Sequence, residues 1–108
     1  MPQATFVHEG AAIDYTPGAD VAAGDVVVQG DLVGVAKLDI KANKLGALAV
    51  VGVFDFAKAA GALAVGTIVY WDNVAKVVTT TAAGNKQVGK VVRAAAPADP
   101  TARVRMLQ

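Results

Sequence analysis

Nowhere does the chain repeat apolar residues at every third or fourth position for long enough to make a helix. Short Val-rich runs recur instead, broken by Gly, Asp and Asn. Alternating runs bounded by turn-forming residues are a strand signature. The sequence therefore predicts an all-β fold, a small single-domain β-barrel or sandwich-like fold. In Asp25–Gln29 one face carries Val26 and Val28. Asp31–Ile40 reads as one strand, with Leu32, Ala36, Leu38 and Ile40 on one side and Asp31, Lys37 and Asp39 among those on the other. Thr67–Trp71 and Val74–Thr81 are expected to form a hairpin around a two-residue Asp72-Asn73 turn. A second turn follows at Ala83-Gly84-Asn85, then a strand over Lys86–Arg93. The prolines of Ala94–Pro100 keep that loop out of the sheet. The last strand turns Ala102, Val104 and Met106 inward and Arg103 and Arg105 outward.

Gly46–Phe56 is apolar on both faces until Asp55. Leu48, Val50, Phe54 and Phe56 share one side; Ala47, Ala49, Val51 and Val53 share the other. Such a strand is either central or has a second face that meets another subunit, so Val51 and Val53, with Arg103 and Arg105, are candidate oligomer-interface residues. Lys58–Gly61 has room for one helical turn. The repeat of GALAV at 46–50 and 61–65 is compositional in a chain this rich in Ala and Val.

The stretch GNKQVGKV at 84–91 is one residue short of a phosphate-binding loop, because Val91 stands where a hydroxyl should hold Mg²⁺. That loop also requires a helix starting at its Gly-Lys. The residues that follow here are β-branched and strand-like. With 108 residues the chain holds one domain and is too short for repeated strand–helix units. Gly84 thus reads as a hairpin glycine and Lys90 as an outward strand lysine.

Catalytic groups are sparse. The chain has no Cys and no Ser, a single His (His8) and a single Glu (Glu9). Neighbours on an extended segment point apart, which leaves His8 and Glu9 poorly placed as a dyad. The aspartates at 25, 31, 39 and 72 suit turns and lack the spacing of a calcium loop. Tyr15, Tyr70 and Trp71 are not interleaved with cations as a nucleic-acid surface would be. No enzyme activity, cofactor, metal, nucleic-acid partner or membrane partner is expected, and the start lacks the pattern of a secretory leader.

Charge is unevenly spread: residues 1–40 carry six carboxylates against Lys37 alone, whereas from Lys86 onward five cations face only Asp99. Such blocks attract one another within a fold or across a head-to-tail interface, or simply mark solvated strand faces. A hydrophobic fraction of 55% and a mean hydropathy of +0.47 are high for so small a chain and point toward buried subunit contacts.

The ordered set FVHEG (6–10), IDYT (13–16), AGDVV (23–27), LVGVA (32–36), GALAV (46–50), VYWD (69–72), GKVV (89–92) and VR (104–105) resembles a family of tailed-bacteriophage capsid cement or head decoration proteins. The resemblance runs from Phe6 to Leu107. It implies a structural virion protein on the outer surface of the expanded head, with the major capsid protein as partner and a homotrimer as its state. It also implies an N-terminal arm, residues 1–18, that orders on the capsid, ahead of a β-domain over 19–108. Phe6, Val7, Glu9, Ile13 and Tyr15 are then the candidate capsid-binding residues. The alternative is a virion adhesin or carbohydrate-binding module on the same scaffold, with Tyr70 and Trp71 as stacking residues.

Overall fold

A computed structural model describes residues 3–108. Each Val-rich run becomes a strand, giving β1 (Ala12–Tyr15), β2 (Val26–Gln29), β3 (Leu32–Ala36), β4 (Gly46–Ala49), β5 (Gly52–Ala57), β6 (Ile68–Asp72), β7 (Val77–Thr79), β8 (Lys86–Arg93) and β9 (Thr101–Met106). They form two antiparallel sheets, ordered β1-β4-β3-β2 and β5-β9-β8-β6-β7. Of the two all-β architectures expected, the sandwich-like one is observed. The larger sheet does not close into a barrel, although its edges meet at one bridge between Lys58 and Val78.

Two apolar clusters hold the layers together. The larger draws Val33 and Val35 from β3 against Phe56, Val69, Trp71, Val78, Val88, Val91, Val104 and Met106 of the other sheet. At its centre the Phe56 and Trp71 rings lie 6.1 Å apart, within the range where aromatic pairs add to simple burial. The smaller cluster, Ala36, Ile40 and Leu48, is covered by Ile13, Tyr15, Val21 and Val27. The final strand alternates as expected, with Ala102, Val104 and Met106 buried and Arg103 and Arg105 exposed.

Several local expectations are corrected. Gly46–Phe56 is two strands in different sheets. Gly52, at φ +134°, takes a backbone shape that side-chain-bearing residues resist, and there the chain crosses from the first sheet to the second. The inward face carries through the crossing, with Leu48, Val50 and Phe56 buried while Val51 and Val53 are 42% and 56% exposed. β3 stops at Ala36, leaving Leu38 77% exposed; Ile40 rejoins the body by exchanging two 2.8 Å backbone hydrogen bonds with Val21. No helical turn forms at Lys58–Gly61, because the Lys58 and Ala59 amides are taken by the carbonyls of Pro100 and Val78.

The Asp72-Asn73 turn is longer than two residues. Asp72 Oδ1 accepts from the amides of Val74 and Ala75, an Asx-type capture that delays β7 until Val77. Gly84 does sit in a turn, at φ +76°, but not in a hairpin, because β6 lies between β7 and β8. At the C-terminus Gln108 takes a structural role that no sequence pattern announces. Its Oε1 accepts from the Val33 amide and its Nε2 donates to the Val33 carbonyl, both at 2.7 Å, so a side-chain amide completes β3 where β4 falls short. Gln108→Ala leaves both backbone groups unpaired and is expected to cost about 1–3 kcal/mol, read as a lower denaturation midpoint with an unchanged slope.

Candidate functional site

The near-phosphate loop is resolved by geometry. Lys86–Arg93 is strand throughout, Lys90 is exposed, and the Val91 side chain is buried in the core. Gly89 faces the β9 backbone so closely that an added Cβ would lie 1.9 Å from the Arg105 carbonyl oxygen. Its lack of a side chain serves strand packing, not an anion. Among the described residues no group of three or more His, Cys, Asp or Glu side chains is placed to hold a metal ion, and no helix is long and apolar enough to cross a membrane. The His8 ring bonds to the Glu9 backbone carbonyl, not to its carboxylate.

Trp71, a candidate stacking residue, is buried as an anchor of the β6–β7 pair, with Nε1 donating to Asn73 Oδ1 at 3.1 Å. That leaves the half-buried Tyr70 alone as a stacking platform. An open cleft of about 540 Å³ lies between the sheets, with Val26 and Val35 on one wall, Phe54, Phe56 and Trp71 on the other, and Lys76 at its edge.

Two surfaces remain. The first is the N-terminal segment. Residues 3–11 form no strand, and Phe6 and Val7 are 78% and 82% exposed. β1 follows as an edge strand, pairing Ile13 with Leu48 and Tyr15 with Gly46. The expected arm residues therefore fall into two groups. Phe6, Val7 and Glu9 project from the body, whereas Ile13 and Tyr15 pack on its smaller cluster. Met1 and Pro2 of the expected arm lie outside the described residues.

The second surface is the outer face of the larger sheet. Pairing sets Ile68, Lys90, Arg105 and Val53 in one row across four strands, and Arg93, Arg103 and Asp55 in the next. All four expected interface residues, Val51, Val53, Arg103 and Arg105, are exposed at or beside this face. Arg103 is already engaged: Nε and Nη2 donate to the two Asp55 oxygens at 3.0 and 3.2 Å. This bond, with a smaller contribution from the Arg93 charge, holds the Asp55 carboxyl below its ordinary value, and the same bond raises the Arg103 pKa.

Among the described residues a single ion pair joins the acidic N-terminal and basic C-terminal blocks, Lys86 Nζ donating to Asp31 Oδ1 at 2.6 Å. It ties the β2–β3 turn to β8. The bond holds Asp31 below its ordinary value of 3.8. A depressed carboxylate pKa stabilises the fold fully above the unfolded value, and that contribution is lost as pH falls through the folded one. The stability advantage of the wild type over Asp31→Asn is accordingly expected at neutral pH and gone in strong acid, measured by thermal melts from pH 7 down to about 2.

The family model of the phage cement proteins matches residues 7–106. The chain belongs to the phage cement protein family. Its role is thus structural and capsid-associated, in accord with a molecule whose distinctive features are surfaces. No curated protein and no solved structure matches this cement-family chain. The sequence alone offered no signal for the Gln108 clamp, whereas an isolated glycine within the β8 run was a legible sign of close backbone approach.

Proposed function

We propose that the protein binds the outside of the expanded phage head, as a trimer on the major capsid protein, and stabilises the shell against internal pressure. The observation that carries this reading is the pair Phe6 and Val7, two large apolar side chains held in solvent on a strandless segment that runs directly off an edge strand. Exposed apolar groups of this kind mark contact sites. An extended segment can add to a sheet edge of a shell subunit through its backbone, with alternate side chains entering pockets. Three such arms in one trimer multiply a modest single contact. A cement requires no catalytic group, only a rigid body and a clamp. Heads saturated with the protein are expected to retain packaged DNA at temperatures where bare heads release it, read by dye access to DNA during a thermal ramp. Identical release curves with and without bound protein would count against stabilisation.

A further inference from the structure

Lys90 stands directly opposite Arg105, and Arg93 opposite Arg103, on the outer face of the larger sheet. Like charges placed across a strand pair destabilise it. Here two such pairs lie side by side with Asp55 as the one carboxylate among them, and Arg103 already consumes it. Lys90, Arg93 and Arg105 form no ion pair among the described residues. Exposed Ile68 and Val53 end the Lys90–Arg105 row. A face that concentrates uncompensated cations between apolar flanks is built to receive an anionic, partly apolar strip of protein.

The same chain carries a matching strip. The first lysine or arginine is Lys37, and of the five carboxylates ahead of it Asp20 and Asp31 pair with lysines of their own chain while Asp25 caps a local turn. Glu9 and Asp14 remain exposed and, among the described residues, without a cationic partner, at the root of the projecting segment and on the edge strand β1. The basic face and this acidic root belong to different sheets, so one copy can offer both at once.

We infer that the Glu9–Asp14 root of one copy docks on the Lys90–Arg93–Arg105 face of the next. Such a contact is heterologous, and head-to-tail repetition closes into a ring when the rotation per copy allows it. The inference rests on the cement reading only in assigning the root to a neighbouring copy and leaving the Phe6-Val7 tip for the shell.

Sedimentation velocity on the full chain tests it. The wild type is expected to self-associate at low salt and dissociate as salt rises. Arg93→Glu with Arg105→Glu, which turns both repulsive pairs attractive and so preserves the fold, is expected to weaken association about tenfold or more. Glu9→Lys with Asp14→Lys does the same, and a chain carrying all four substitutions recovers association. A wild type that stays monomeric at low salt would overturn the inference. So would a face variant that associates normally, a four-substitution chain that fails to recover, or a face that binds labelled DNA while association is unaffected by its reversal. Shell binding is measured on the same samples: copies that associate yet leave expanded shells bare would sink the cement reading while this contact stands.

Discussion

Gly89→Ala is expected to cost about 3 kcal/mol or more, a large loss for the addition of one methyl group. That methyl would lie 1.9 Å from the Arg105 oxygen, 2.9 Å from its carbonyl carbon and 3.1 Å from the Leu107 nitrogen. All three are backbone atoms, so no side chain can rotate away; β8 and β9 must separate along the spine of the larger sheet. Against the roughly 5–15 kcal/mol available to a small domain, that lowers the melting temperature by more than about 10 °C. Gly10→Ala is the control. Gly10 has nothing within 4 Å and no left-handed φ, and its substitution should stay within about 0.5 kcal/mol. If Gly89 served a phosphate, the alanine variant would melt like the wild type and differ only in nucleotide binding.

Removing residues 1–10 is expected to abolish capsid binding and leave the fold intact. Burial of Phe6 and Val7 against a partner contributes about 1.5–3 kcal/mol each, so loss of one arm lowers affinity by roughly two to four orders of magnitude. The boundary of the deletion matters. The Ala11 carbonyl accepts the Val50 amide, and β1 supplies Ile13 and Tyr15 to the smaller cluster. A chain beginning at Pro17 therefore loses an edge strand as well as the arm and is expected to melt earlier, whereas one beginning at Ala11 is not. Equal shell binding by the Ala11 chain and the full chain would show that the segment is not the clamp.

The strands are legible in the sequence wherever one face is wet. Ala102, Val104 and Met106 alternate with Thr101, Arg103 and Arg105, and the pattern alone places them. The pattern fails at Gly46–Phe56, where both faces are apolar and periodicity carries no information about a corner; only Gly52 marks the change of sheet. Asp72 shows a different limit. A side chain that captures two amides lengthens a turn without altering the hydrophobic pattern on either side, so the pattern starts β7 too early. The surfaces divide in the same way. Exposure of Phe6 and Val7 follows from their place ahead of the first strand, and the outward direction of Arg103 and Arg105 follows from alternation. That Lys90 faces Arg105 and Arg93 faces Arg103 depends on register, including the irregularity between Val91 and Arg93, and no local pattern specifies it. Gln108 reaches Val33 across 75 positions of sequence, beyond any local signal.

Co-sedimentation of the purified, folded protein with undecorated, expanded heads of its own phage tests the central claim most directly. The cement reading predicts saturable binding that levels off at a fixed number of copies per shell, a number divisible among the three-fold and quasi-three-fold positions of the lattice. Protein that stays in the supernatant at every concentration, while remaining folded, would contradict it.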